Sequence, residues 1–236
     1  MDLCTTEFTV GLPDVGENNK LTNKGFLKML QEAACIHSKF LGISVQTSQL
    51  DGYAWVILNW KLEVFSRPTW NAKLRVNTWC RKVSHLFFYR DFEVFDDNNN
   101  LVAVACSKWI LFNLNTNSIV KNVDEVKARY SCIDKSACTE KMDEKLIVPD
   151  NEEFIREYTV LRRDIDTNHH VNNLNYLDFA FEIVPVNDFN NVEIMYKHEA
   201  KYGETLNLFC AKNDDSTFVT IKNDDNSKIH CVIKLY

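Results

Sequence analysis

Glycine and proline are scarce, at 6 and 4 of 236 residues. That scarcity excludes collagen-like repeats and Pro-rich disordered chains. No window approaches the ~18 consecutive apolar residues of a membrane-spanning helix. A basic excess is missing as well: 27 Lys and Arg stand against 33 Asp and Glu, a net charge of −6. A nucleic-acid binder would be expected to carry a basic footprint, so neither nucleic acid nor membrane is an expected partner. Eight cysteines are present, but none form a Cys-x-x-Cys pair, so zinc-ribbon spacing is absent. The opening Met1-Asp-Leu-Cys-Thr-Thr-Glu7 has no basic cluster, no apolar stretch and no Arg. These features favour a cytoplasmic location with reduced thiols over a secreted or organelle-targeted chain. What remains is an ordinary soluble composition, 45% hydrophobic and 25% charged, long enough for one large domain or two small ones.

The chain repeats itself. Shifted by 150 residues, Glu7-Phe-Thr-Val10 falls on Glu157-Tyr-Thr-Val160, and Asp14, Asn18, Asn23, Leu27 and Glu32 fall on Asp164, Asn168, Asn173, Leu177 and Glu182. That makes eight identities over the 27 positions from Glu7 to Ala33. A second match, at a shift of 132, lays Trp70–Leu74 on Tyr202–Leu206. Two matches in the same order favour two copies of one unit.

Each copy is expected to begin with a short strand (Glu7–Val10; Phe154–Leu161), followed by a helix. The first helix is predicted from Thr22 to Phe40, with Thr22 as N-cap and Phe26, Leu30, Ala33 and His37 at helical spacing. The second is predicted from Asn172 to Val184, ended by Pro185. Four strands follow each helix. In copy one they are Tyr53–Phe65, Lys73–Lys82, Leu86–Phe95 and Leu101–Leu114. In copy two they are Val192–Lys201, Thr205–Lys212, Thr217–Lys222 and Lys228–Leu235. Asn- and Asp-rich turns separate them. The first helix is apolar around much of its circumference, so it calls for a sheet wrapped about it. The fold class is therefore α+β: two central helices, each wrapped by a curved antiparallel sheet, with the sheets joined into one. The expected division is residues 1–115, a charged aperiodic linker at 116–151, and residues 152–236.

The densest polar cluster is Arg162-Arg-Asp-Ile-Asp-Thr-Asn-His-His-Val-Asn-Asn173. It leads into the second helix, whose N-terminal N–H groups would suit a developing oxyanion. In an extended segment Asp166, Asn168 and His170 alternate onto one side, and an imidazole near a carboxylate suits acid–base work. Asp and Asn are also ordinary turn formers. The repeat sharpens the choice, because copy one carries Gly16 and Lys20 where copy two has Asp166 and His170. Both copies would need a purely structural pair.

The run Asp164-Ile-Asp-Thr-Asn-His-His-Val-Asn-Asn-Leu-Asn-Tyr-Leu177 resembles the signature of acyl-acyl-carrier-protein thioesterases. Leu30-Gln-Glu-Ala-Ala34, Thr78-Trp79, Phe88-Tyr-Arg-Asp-Phe92 and Ser107-Lys-Trp109 resemble further segments of that family, in its order. The resemblance implies a tandem (double) hot-dog fold and hydrolysis of the thioester of fatty acyl-acyl carrier protein, which releases free fatty acid and holo-carrier. It carries the family's catalytic residues onto Asp166, Asn168 and His170, and a further acid onto Glu199. Ala200 stands where plant members have Cys, so a cysteine nucleophile at that position is excluded and attack by activated water remains. At the shift of 132, Glu199 falls on Arg67, so copy one lacks this acid too.

Backbone N–H groups of Val171 and Asn172 are the expected oxyanion donors. Copy one is expected to hold the acyl chain through Phe26, Leu30, Ala34, Tyr53, Trp55 and Ile57. Arg162, Arg163, Lys197, Lys201 and Lys212 are the expected docking face for the acidic carrier. No cofactor and no metal are expected, since the histidines at 169 and 170 are adjacent and no cysteine pair accompanies them. His169 and His198 would face away from the site, and His37 reads as a core histidine. A homodimer is left open. The alternatives are an acyl-CoA thioesterase on the same fold, a hot-dog hydroxyacyl dehydratase, and a non-catalytic acyl-thioester sensor.

Overall fold

The structure is a computed structural model describing residues 2–43, 52–185 and 189–236. The chain divides into two compact units, Met1–Met142 and Asp143–Tyr236. Unit one has β1 (Leu3–Thr9), α1 (Asn23–Phe40), β2 (Tyr53–Val64), β3 (Lys73–Ser84), β4 (Phe87–Asp96), β5 (Leu101–Asn113), β6 (Ser118–Ile119) and α2 (Asp124–Lys127). Unit two has β7 (Glu153–Thr159), α3 (Asn175–Phe181), β8 (Asn191–Tyr196), β9 (Thr205–Lys212), β10 (Thr217–Asn223) and β11 (Ile229–Leu235). The sheet of unit one runs β1-β3-β4-β5-β2, with β6 on β5. That of unit two runs β8-β11-β10-β9-β7. Pairing is antiparallel within both. One helix against one antiparallel sheet, twice over, is the double hot-dog fold.

The turns form for the reason their composition suggests. Between β4 and β5, the Asp96 carboxylate accepts from the backbone N–H of Asn98 and Asn100, and Asn99 takes φ 64°. Between β9 and β10, Asn213 Oδ1 accepts from Ser216 N–H at 2.7 Å. Asn and Asp supply these local acceptors and tolerate the left-handed region.

The Thr22 hydroxyl caps α1, accepting from Gly25 N–H at 3.0 Å. Phe26, Leu27, Met29, Leu30, Ala33, Ala34 and His37 are buried along the helix. Gly25 is required by close approach. A Cβ there would lie 2.7 Å from the Asp14 carbonyl oxygen and 2.6 Å from Leu21 Cδ1. Gly25→Ala should therefore lower stability by about 1–3 kcal/mol through overpacking, despite the better helix propensity of Ala. A drop in the urea midpoint with unchanged slope is the expected reading.

The repeat extends to individual hydrogen bonds. In copy one, Thr22 N–H donates to Asp14 O, Gly16 N–H to Lys20 O and Asn19 N–H to Gly16 O. In copy two, Asn172 donates to Asp164, Asp166 to His170 and His169 to Asp166. Each donor and acceptor is displaced by 150. With the donor shifted by 150 and the acceptor by 132, Leu21 N–H to Pro68 O becomes Val171 N–H to Ala200 O.

Three expectations need correction. α3 is shorter than the predicted Asn172–Val184, because Asn172 serves as a turn acceptor, its Oδ1 taking Leu174 N–H at 2.9 Å. The strand predicted to Lys201 stops at Tyr196, where Lys197 and His198 both donate to the carbonyl of His230. The stretch predicted as a charged, aperiodic linker holds β6 and α2, and its middle is a strap across unit one. Ile133 N–H donates to Cys80 O on β3. Ala137 N–H donates to the buried Asp91 on β4. Cys138 packs on Cys106 of β5, and Thr139 binds Glu63 on β2 through N–H and hydroxyl. The strap thus crosses the strands in their sheet order, and it gives two buried carboxylates their partners.

Candidate active site

The segment Arg162–Asn173 is built on Asp164, which is buried. Its carboxylate accepts from Leu161 N–H and from the Tyr158 hydroxyl, both at 2.7 Å. Its carbonyl accepts from Asn172 N–H at 2.8 Å and from Asn175 Nδ2 at 3.1 Å. Burial and the Asp164 bond both raise the Tyr158 pKa, so the phenol remains a donor at neutral pH.

Beyond Asp164 the chain makes a tight hairpin closed by the Ile165–Val171 bridge. His169 takes φ 65°, the left-handed conformation that Asn19 adopts at 59° in copy one. The segment is therefore a turn, not the extended run in which Asp166, Asn168 and His170 would alternate onto one side. Asp166 Oδ1 accepts from Asn168 N–H at 2.8 Å, and its Oδ2 lies 3.4 Å from Asn168 Nδ2. His170 meets a different partner: its Nε2 lies 3.1 Å from Glu199 Oε1. The four residues thus form two pairs, Asp166 with Asn168 and His170 with Glu199. The second pair is open to solvent, with side-chain exposures of 29% and 58%.

A carboxylate only accepts, so His170 Nε2 carries the hydrogen and Nδ1 is left as the basic nitrogen. In copy one the corresponding Arg67 donates to Leu21 O at 2.8 Å and to Asn23 Oδ1 at 2.7 Å. That arrangement pins a loop and offers no base.

The expected oxyanion donors are a correction. Val171 N–H is bonded to Ala200 O and Asn172 N–H to Asp164 O, both at 2.8 Å. A bond to the segment after β8 occupies one, and the Asp164 joint occupies the other. The seven-residue α3 starts only at Asn175, so the N-terminal helix groups do not serve this loop.

The remaining expected residues fall as follows. Phe26, Leu30, Ala34 and Ile57 are buried in the core of unit one. Trp55 is half-buried and meets Phe88 edge-on at 4.9 Å. Tyr53 lines a cavity of about 280 Å³ together with Ile43, Leu111, Val120 and Val126. Arg162, Arg163, Lys197, Lys201 and Lys212 are all exposed, with Arg162 over the Tyr202 ring at 5.1 Å. His169 and His198 are exposed. His37 is buried and bonded through Nδ1 to Arg90 at 2.8 Å, as a core histidine should be. Among the described residues, no group of three or more His, Cys, Asp or Glu could hold a metal, and no helix is long and apolar enough to cross a membrane.

Two side chains behind the loop were not found by sequence reasoning. The Tyr196 hydroxyl donates to Asn173 O at 2.9 Å, and His230 Nδ1 lies 3.2 Å from His198 O. His230 lies beyond a change in hairpin length, outside the reach of an ungapped comparison, whereas Tyr196 falls on Val64 at the shift of 132 and gave no polar counterpart to notice.

The acyl-ACP thioesterase N-terminal domain family matches residues 2–130, and the acyl-ACP thioesterase C-terminal domain family matches residues 147–234. The chain belongs to the acyl-ACP thioesterases. An oleoyl-acyl carrier protein thioesterase of Arabidopsis thaliana is 28% identical over 216 residues, 83% of this chain. The match covers 56% of that plant protein, so this chain spans little more than half of its length. The crystal structure of an acyl-ACP thioesterase from Bacteroides thetaiotaomicron superposes with a TM-score of 0.88 at 26% identity, covering 99% of this chain and 96% of that one. A 12:0-ACP thioesterase from Umbellularia californica shares the fold, with a TM-score of 0.84 at 20% identity over 99% and 96% of the two chains. Beside Glu199 stands Ala200, at the position where the resemblance to plant members led a cysteine to be expected. That residue is fully buried.

Proposed function

We propose that this chain hydrolyses the thioester of a fatty acyl chain on acyl carrier protein, with water as nucleophile. The observation that carries this reading is the His170–Glu199 contact at 3.1 Å, set against Lys20 and Arg67 at the matching positions of copy one. The His170–Glu199 pair removes a proton from water as the oxygen bonds to the thioester carbon. Glu199 holds the imidazole in one tautomer and stabilises the imidazolium that forms. The C–S bond then breaks, the proton passes to the departing thiolate, and free acid and holo-carrier leave. Asn168 orients water or substrate through its amide, held by Asp166. Because Ala200 offers no thiol, no acyl-enzyme forms at that position.

Unit one is assigned to the acyl chain and unit two to the chemistry. Each methylene removed from water contributes about 0.8 kcal/mol to binding. The exposed Arg162, Arg163, Lys197, Lys201 and Lys212 are the proposed docking face for an acidic carrier. Turnover of matched carrier-linked and CoA-linked substrates tests the substrate assignment. The expected result is a higher kcat/KM for the carrier-linked form, falling steeply as salt rises. Equal rates and a flat salt response would favour the CoA thioester. Enoyl product in place of free acid would place the reaction among the dehydratases.

A further inference from the structure

The loop and the segment that carry the paired His170 and Glu199 must be held from beneath, and the two copies differ there. In copy two, the His230 carbonyl accepts from Lys197 N–H at 2.9 Å and from His198 N–H at 3.3 Å. In copy one, the Val102 carbonyl accepts from Phe65 N–H at 2.9 Å and Ser66 N–H at 3.1 Å. Phe65 and Ser66 are Lys197 and His198 shifted by 132, so Val102 occupies the place of His230. The backbone arrangement is shared, and only the side chain differs.

The valine is sufficient in copy one because Arg67, next along the chain, ties its own segment to the loop by two hydrogen bonds. Glu199 instead meets His170 across a solvent-exposed contact at 3.1 Å. The His230 ring supplies the missing tether. It is 2% exposed, and its Nδ1 can only donate to the His198 carbonyl at 3.2 Å. Burial lowers its pKa, so the ring is neutral. Its Nε2 is buried with no hydrogen-bond partner among the described residues, a cost that a packing role alone would have removed by choosing valine, as copy one does. Tyr196 repeats the pattern: its hydroxyl holds Asn173 O, and the matching residue in copy one is Val64.

We infer that His230 is a positioning residue, whose Nδ1–H fixes the His198 carbonyl and thereby aims Glu199 at His170. The inference rests on the reading of the site proposed above. It acts at one remove from the chemistry, so its effect should fall on kcat and pass through Glu199.

The test is a double-mutant cycle on the full chain with acyl-carrier-protein substrate. His230→Val, the residue copy one uses, should fold, lower kcat about 10–100-fold and leave KM within about twofold. His230→Asn, whose amide nitrogen takes the place of Nδ1, should restore most of the rate. In the Glu199→Gln background, His230→Val should cost less than about twofold more. Should the valine variant fail to fold, His230→Gln replaces it, since its amide lies at the Nε2 position and misses the carbonyl. A His230→Val rate equal to wild type, an Asn variant as slow as Val, or a full independent loss in the Glu199→Gln background would each overturn the tether. A Glu199→Gln variant at wild-type rate would instead overturn the reading of the site itself.

Discussion

Turnover of acyl-carrier-protein substrate should fall by about 10²–10⁴-fold in both Glu199→Gln and His170→Ala. Gln keeps the shape of Glu199 and can still accept from His170 Nε2 at the present 3.1 Å. It cannot take a proton, and it carries no charge to stabilise an imidazolium. His170→Ala removes the basic nitrogen altogether. Neither change should disturb folding much. Glu199 is 58% exposed and His170 29%, and substitutions at such positions usually stay within about 0.5 kcal/mol. Activity and melting temperature are therefore expected to separate. Free-acid release under steady-state conditions, with circular dichroism on the same preparations, gives both readings. Normal turnover in either variant would remove the pair from the mechanism.

The second large effect concerns stability. Asp164→Ala should cost about 3 kcal/mol, from two charge-assisted hydrogen bonds lost at a buried site. The change strands the Tyr158 hydroxyl and Leu161 N–H, each now 2.7 Å from the carboxylate. For a chain of this size that corresponds to a melting temperature lower by roughly 6–12 °C. Its counterpart Asp14 gives the control. There the carboxylate pairs with Lys28, whose side chain is 59% exposed, and exposed pairs contribute under about 1 kcal/mol. Thermal melts of the two alanine variants should differ severalfold in their shift. Equal shifts would mean that the base of the loop is not set by Asp164.

Much of the fold was legible because its signals are local. The apolar circumference of α1 and the Thr22 cap placed that helix within a residue of its observed start. Asn- and Asp-rich turns bounded β5 and β10, and Thr205–Lys212 emerged with both ends as expected. The strap was not legible. Residues 133–139 carry no periodicity because carboxylates and carbonyls on distant strands hold them. The end of β8 was missed for a related reason: Lys197 and His198 share one carbonyl, an irregularity that leaves no trace in composition.

Of the residues expected at the site, Asp166 contacts Asn168 and His170 contacts Glu199. The alternation used to align the first three failed because a left-handed residue at His169 turns the chain. The oxyanion assignment failed because hydrogen bonds already made by Val171 and Asn172 cannot be read from residue types. His230 escaped because its partner in the repeat lies beyond a change in hairpin length.

The most direct measurement is free fatty acid release from acyl-carrier-protein substrate by a chain given copy one's own residues, His170→Lys with Glu199→Arg. Lys20 and Arg67 already occupy those places in a loop of the same hydrogen bonding, so the variant should fold. The account predicts release indistinguishable from the uncatalysed rate, with the melting temperature retained. Release within tenfold of the unaltered chain would contradict it.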